Sequence, residues 1–484
     1  MNGRSPDEPL AFAVIGAGFA GVGMAIGLLD EGESNFLVFE RSDRLGGTWR
    51  DNTYPGCGCD VPSHLYSYSF EPNANWSRVY SSASEILAYL EYCAAKYSVL
   101  PHIRFRCGVH SAHFDSEVWA LETDQGTHYA RYLVGATGPL AVPSMPAIKG
   151  RDSFAGPAFH SARWDHSVQL AGKRVGVIGT GASAIQLIPE VAKVAKEVHV
   201  FQRTPAWVMP RPDRAYTARE KRAFERFPTL HRAYRNAIYW AMESQALALV
   251  SQRSLLRFVK TISRYNIAKA IDDPALQRRV TPDYEPGCKR ILISNDYYPA
   301  LAKRHVHVRG APDAIEPEGV REDGTFTPLD ALVYSTGFKA TEFLHGLEVV
   351  NAEGTSLNGH WAQNIEAYFG LCVAGFSNLF MLIGPNTTLG HNSMIFMIEA
   401  QVHWIRQAYR FAKRRGLRRL GVKDAAERAF NRSLRKRLGA SVWSSGCQSW
   451  YLDERQQNFS IWPSYTVEYW LRTRRFQPED FHLA

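Results

Sequence analysis

Two glycine-rich turns and one pair of adjacent cations hold the residues of this 484-residue chain best suited to chemistry. The first turn, Gly16-Ala-Gly18-Phe19-Ala-Gly21, follows the apolar run 11–15 and opens a helical pattern that continues through Leu29. A second apolar run, 35–39, ends in Glu40. In this strand–turn–helix setting the glycines let backbone approach a pyrophosphate and the helix N-terminus stabilises its charge. An acid about 20 residues on accepts hydrogen bonds from a ribose diol. The second turn, Gly179-Thr180-Gly181-Ala182-Ser183-Ala184, repeats the pattern after the run 173–178. Ala184 is still small enough for the helix to pack on its strand. The strand that follows, 197–201, leads into Gln202-Arg203-Thr204 without an acid. An arginine there accommodates a 2′-phosphate, which favours NADPH over NADH. The cation pair is Lys289-Arg290, just before the apolar run 291–293. Alone it reads as a solvated surface pair; beside two dinucleotides it has anions to serve.

Positioning these residues requires two βαβ units. The expected fold class is α/β, with two dinucleotide-binding (Rossmann-like) domains, one for FAD and one for NADP, and a helical insertion in the NADP domain. Arg44-Leu-Gly46-Gly47-Thr48-Trp49 resembles the flavoprotein continuation that runs along FAD, which assigns FAD to the first turn. Each unit closes on an apolar strand with a small polar exit, Ala136-Thr137-Gly138 in the first and Ser335-Thr336-Gly337 in the second. The expected boundaries are 1–140 for the first part of the FAD domain, 141–170 for a linker, and 171–209 with 281–337 for the NADP domain. Residues 210–280 form the insertion, and 338–484 the second part of the FAD domain with a C-terminal pocket segment. Helical spacing over 217–226 and 230–269, broken at Pro228, favours a pocket wall or lid over a membrane-touching face. Gly384-Pro385-Asn386 and His391-Asn392-Ser393-Met394 suit the flavin end, or an ordinary turn before a helix. Trp450-Tyr451 lines the pocket or closes the core.

An apolar content of 45% with 21% charged residues belongs to a globular chain with ample core. No run approaches the roughly 18 apolar residues of a spanning helix, so a soluble, cytoplasmic protein without stable membrane insertion is expected. The net charge of +9 is dispersed, and its densest run, 413–419, reads as a solvated face. That argues against a nucleic-acid partner. Seven irregularly spaced cysteines are expected to be reduced thiols. Cys57-Gly-Cys59 lacks a nearby second ligand pair and is ill-suited to disulfide exchange, so no metal site and no disulfide-reductase centre is read. The oligomeric state is not legible.

Between the two units lies Phe154-Ala-Gly156-Pro-Ala-Phe-His160-Ser-Ala-Arg-Trp164-Asp165, by itself an aromatic linker with one histidine. It matches F-x-G-x3-H-x3-W-[PD] in full. Gly46, Gly47, Trp49, Tyr54, Pro55, Gly56 and Asp60 match [AG]-G-x-W-x4-[FY]-P-[GM]-x3-D. On these two patterns the chain resembles the type I Baeyer–Villiger monooxygenases, within the class B flavoprotein monooxygenases, over nearly its whole length. The resemblance weakens in the insertion and departs at Ser335, where the family has Ala, and at the compact C-terminus.

The resemblance implies an FAD- and NADPH-dependent enzyme. It would insert one oxygen atom of O2 next to a ketone carbonyl, via a C4a-peroxyflavin, to give an ester or lactone, with sulfide oxidation as a side reaction. By motif position Arg290 is the catalytic cation and Asp60 orients it; His160 is the third catalytic candidate, read as a hinge residue in preference to a proton carrier. The implied FAD contacts are Gly16, Gly18, Phe19, Gly21, Glu40, Gly47, Thr48, Trp49, Asp60, Tyr66, Val109 and Met394. Those to NADP are Gly179, Thr180, Gly181, Ala182, Ser183, Ala184, Gln186, Arg203, Thr204, Lys289 and Arg290. Two alternatives stay open: an N- or S-oxygenating flavin-containing monooxygenase, and an NADPH-dependent electron-transfer flavoprotein reductase.

Overall fold

The apolar runs around the two glycine turns become inner strands of separate sheets in the computed structural model, which describes residues 8–447, 449–453 and 455–484. Leu10–Ile15 lies between parallel neighbours Phe36–Phe39 and Gly126–Gly135, with Val14 opposite Val38 on one side and Val134 on the other. Burial on both faces is what allows such a strand to be continuously apolar. Beyond Gly126–Gly135 the sheet turns antiparallel through Val118–Thr123 and Val109–Asp115 and ends on Glu348–Val350. Leu379–Met381 pairs with Gly126–Gly135 in parallel. Strands from the last third of the chain thus complete the sheet begun at Leu10.

The second sheet runs Val306–Arg309, Glu197–Phe201, Arg174–Ile178, Ala331–Tyr334, Ala158–His160, every pair parallel. Its outer strand Ala158–His160 comes from the stretch read as a linker, and His160 stands opposite Tyr334. The antiparallel meander Ala314–Glu316, Gly319–Glu322, Thr325–Pro328 covers one face, where Ile315, Val320 and Leu329 pack on Ile178, Phe201 and Leu332. The chain passes between the modules at two points that pair with each other. Pro143 bridges Phe338, the Ser144 amide donates to the Gly337 carbonyl at 2.9 Å, and the Thr336 hydroxyl donates to the Ser144 carbonyl at 2.6 Å.

The insertion is helical, as its periodicity predicts: Ala218–Arg226, Pro228–Val250, Leu256–Ala270 and Pro274–Val280. Pro228, expected as a break, is the first residue of the 23-residue helix, where a missing N–H costs nothing. No helix among the described residues is long and apolar enough to cross a membrane. By sequence the long helix interrupts the second module, yet its inner face packs on the first. His231 Nε2 lies 2.7 Å from His64 Nδ1, and Arg235 donates to the Ser67 hydroxyl at 3.1 Å. Glu243, 1% exposed, receives Asn392 Nδ2 at 2.7 Å, Thr466 Oγ1 at 2.7 Å and the Val467 amide at 3.0 Å, with His391 Nε2 at 3.5 Å.

Burial alone would raise the Glu243 pKa, but hydrogen bonds from His391, Thr466, Val467 and Asn392 outweigh it and hold the carboxyl below its ordinary value. Its contribution to stability is therefore full above the ordinary carboxylate pKa and is lost as pH falls through the depressed folded value. Glu243→Ala strands these buried donors and is expected to cost about 3–5 kcal/mol of unfolding free energy in urea denaturation at neutral pH. A loss below about 1 kcal/mol would show that water replaces the carboxylate at this contact.

Candidate active site

The two glycine turns open helices whose ends are prepared for anions. Gly18 caps Phe19–Asp30 and Gly181 caps Ala182–Val191, both with extended backbone, no side-chain cap and no acid in the first turn. Elsewhere Ser82, Thr217, Asp273 and Ser393 satisfy the first amides of their helices. The fingerprint helices keep their N-terminal amides clear of any side chain, which fits a pyrophosphate at each. Gly16 has φ +104°, and a Cβ there would sit 2.7 Å from the Ala136 carbonyl oxygen; one on Gly179, at φ +116°, would run into that of Ser335. Each turn therefore packs directly on the exit loop of its own module.

Around the first turn, Glu40 is 5% exposed and accepts from the Ala17 amide at 3.0 Å and the Ser42 amide at 2.9 Å. Arg50 Nη1 lies 3.0 Å from the same carboxylate. These contacts fix the acid and leave it a lone pair for a ribose hydroxyl. Gly47 starts the short helix Thr48–Asp51 and faces Gly18 across bare backbone. Trp49 Nε1 donates to the Tyr66 hydroxyl at 3.2 Å, and Phe19 meets the Tyr66 ring edge-on, centroids 5.6 Å apart. Val109 opens the strand Val109–Asp115 of the first sheet and packs on the core of Leu10, Ala13 and Leu133, and Met394 opens the helix Met394–Arg415 and packs on the core of Phe12, Val14 and Val134.

In the second module Arg203 is exposed and Lys289 half-buried, its Nζ 4.9 Å from the centre of the Tyr284 ring. Burial and the nearby Arg203 charge lower the Lys289 pKa, and Asp283 offsets this only in part. Two cations that repel each other fit an anion such as a 2′-phosphate between them. The Thr180 hydroxyl donates to the Thr204 carbonyl at 2.8 Å, fixing the turn against the arginine loop. Gln186 holds the modules together: its amide donates to the Gly58 carbonyl at 3.0 Å and accepts from the Tyr54 hydroxyl at 2.8 Å. Gly56, at φ +81°, lets this loop approach the same helix, since a Cβ would meet the Gln186 carbonyl oxygen at 2.7 Å.

Arg290 and Asp60 meet where the two modules face each other. Nε and Nη2 of Arg290 donate to Asp60 Oδ2 at 2.9 and 2.6 Å, and Nη1 donates to the Leu389 carbonyl at 3.3 Å. Attraction to Asp60 outweighs burial and raises the Arg290 pKa, so the guanidinium is cationic at every working pH. Of the five N–H donors of a guanidinium, three serve Asp60 and Leu389, and Tyr451 hydrogen-bonds to the same cation. The two side chains are each 28% exposed, so a ligand can reach the pair. Tyr451 lies beside the cation, buried and pushed up to about 12 by that burial, hence neutral.

His160 borders the paired crossings. It is 4% exposed, its Nδ1 accepts from the Ala162 amide at 3.1 Å, and its ring meets Phe338 edge-on at 5.8 Å. Burial lowers its pKa to about 4, opposed in part by a hydrogen bond with the Gly337 backbone. A neutral ring wedged at the crossing suits a pivot better than a proton carrier. Phe154 packs under the meander with Gly156 against its ring, and Trp164 meets Phe159 at 5.1 Å in the second core. Asp165 is exposed and accepts from the Ser167 amide at 2.9 Å, a turn contact away from Arg290 and Asp60.

The expectation of seven free thiols is corrected by a disulfide between Cys288 and Cys447, Cα atoms 6.2 Å apart across 159 residues. Cys57, Cys59, Cys93, Cys107 and Cys372 are free. Spacing could not show this pair, because tertiary packing alone brings the C-terminal segment beside the Lys289-Arg290 loop. Burial pushes the Cys57 thiol up to about 11, which suits no redox pair with Cys59. Sequence reasoning missed Arg50 and Glu243, whose roles depend on burial rather than on a motif.

A model of the pyridine nucleotide-disulphide oxidoreductase family matches residues 13–222. Among curated proteins, a Baeyer–Villiger monooxygenase of Streptomyces coelicolor is 45% identical over 482 residues, covering 98% of this chain and 93% of the relative. The chain belongs to the Baeyer–Villiger monooxygenase family. A second Baeyer–Villiger monooxygenase, from Pseudomonas aeruginosa, is 42% identical over 98% of this chain and 91% of its own length. Among solved structures, OTEMO in complex with FAD and NADP superposes with a TM-score of 0.89 at 28% identity, covering 99% of this chain and all of that one. The α/β fold with two dinucleotide-binding modules is shared with this FAD- and NADP-bound structure.

Proposed function

We propose that this chain works as an FAD- and NADPH-dependent monooxygenase that inserts one atom of O2 beside a ketone carbonyl, with Arg290 and Asp60 at the centre of the reaction. The overall balance is ketone, O2, NADPH and a proton to ester or lactone, NADP+ and water. When bound, FAD supplies oxygen activation and NADPH the hydride. The observation that carries the reading is the Arg290–Asp60 pair: a part-exposed cation held in place by a carboxylate where the two modules face each other.

Such a guanidinium stabilises negative charge developing on oxygen without reorganising, because Asp60 and the Leu389 carbonyl have already oriented it. Asp60 acts by aiming the cation. The uncapped helices at Gly18 and Gly181 hold the two pyrophosphates, Arg203 and Lys289 hold the 2′-phosphate, and Glu40 holds a ribose. His160, Phe154 and Trp164 position the second module against the first at the paired crossings, so that the nicotinamide end reaches the flavin end. The buried Tyr451 and the partly buried Trp49 and Tyr66 limit water around the cation.

The test is turnover of a panel of cyclic and linear ketones with NADPH under 18O2, read by mass spectrometry. One labelled oxygen in an ester or lactone is expected. NADPH consumption without any oxygenated ketone or sulfide would overturn the reading in favour of an electron-transfer reductase.

A further inference from the structure

The edge of the second sheet carries a cluster that oxygen insertion does not use. Val306–Arg309 pairs with Glu197–Phe201 so that His307 stands opposite His199. Both imidazoles therefore project from one face of the sheet, and Glu197, two residues before His199, projects from it too. The rings stack with centroids 4.9 Å apart, and Glu197 Oε2 lies 3.3 Å from His199 Nε2. One ligand atom from each of the three lies within 4.8 Å of the others. His199 is 5% exposed, and among the described residues its Nδ1 has no hydrogen-bond partner, whereas Glu197 and His307 are half-buried. Two imidazoles and one carboxylate suit a borderline divalent ion of the zinc class; calcium and magnesium take oxygen ligands.

We propose that Glu197, His199 and His307 form a three-ligand site for a zinc-class divalent cation, clamping the edge strand Val306–Arg309 to Glu197–Phe201. An ion about 2 Å from each donor needs the donors about 3.3 Å apart, so binding requires the half-exposed Glu197 and His307 side chains to rotate inward. The same exposure leaves a fourth position for water. Arg309 follows His307 by two residues on the same face and disfavours a cation there, and the Glu197 carboxylate supplies the compensating charge. The site lies before the strand end from which Arg203 follows, so the ion acts as a staple of the second module. Neither motif spacing nor a Cys pair announces it, because the ligands come from two strands far apart in sequence.

The experiment is calorimetric titration of the chelator-treated, flavin-loaded full chain with zinc chloride, together with thermal melts and Cu2+ electron paramagnetic resonance. One equivalent per chain, a higher melting temperature, and hyperfine structure from two nitrogens are expected. His307→Ala removes a half-exposed side chain and is expected to weaken binding at least about 100-fold, beyond what the loss of an outer-shell partner costs. Glu197→Gln, which keeps the shape, is expected to weaken it less. Cys57→Ser and His110→Ala are expected to bind as the parent does. Substoichiometric binding, one or no nitrogen in the copper spectrum, or unchanged affinity in His307→Ala would overturn the site.

Discussion

Arg290→Ala is expected to lower ester or lactone formation by about 10²–10³-fold or more while bound flavin is still reduced by NADPH. The two half-reactions separate because the variant loses only the cation that meets developing negative charge. The pyrophosphate cradles at Gly18 and Gly181 and the Arg203–Lys289 pair are untouched by it. The loss should exceed that of one neutral donor, since removing Arg290 leaves Asp60 charged and unpaired at the same place. Arg290→Lys restores the charge but not the fork that grips Asp60 Oδ2 through Nε and Nη2 while Nη1 reaches Leu389. It is expected to recover little product. Stopped-flow flavin reduction and product analysis on the same preparation check both halves. Full product formation by Arg290→Ala would remove Arg290 from the reaction, and equal loss of both halves would reassign it to NADP binding.

What the sequence shows of this molecule follows the range of the forces involved. The glycine turns were legible because strand, turn and helix occupy adjacent residues, and Glu40 follows at a distance set by one βα unit. Arg203 was legible for the same reason. The approach of Asp60 to Arg290 spans modules, and only the family resemblance pointed to it. Ala158–His160 reads as linker because three residues carry no periodicity, and it becomes a strand only when Ala331–Tyr334 lies beside it. The insertion shows its helices but not their destination. The inner face of Pro228–Val250 carries His231, Arg235 and Glu243, polar residues that a helical pattern assigns to solvent, and here they meet partners from the first module. Cys288 and Cys447 illustrate the same limit, since a contact across 159 residues leaves no local trace.

Arg203→Ala is expected to raise the KM for NADPH by about 10–100-fold and to leave that for NADH nearly unchanged, the range expected when one charge-assisted contact to a phosphate is lost. The 2′-phosphate is the only part of the coenzyme that distinguishes the two, so the NADPH-to-NADH ratio of kcat/KM isolates the contact from any change in folding. Lys289→Ala should act in the same direction. The two effects should not add, however, because each cation already lowers the cost of losing the other. Arg203 depresses the Lys289 pKa, so removing Arg203 lets Lys289 hold its proton more firmly and serve the phosphate better alone. The double variant should therefore lose more than the sum of the two single losses in free energy. Rising salt should narrow the parent's preference for NADPH, most of all through the exposed Arg203. If Arg203→Ala weakens NADPH and NADH equally, the arginine shapes the loop after Glu197–Phe201 instead of reading the phosphate. Lys289, half-buried against Tyr284, would then be the residue that discriminates.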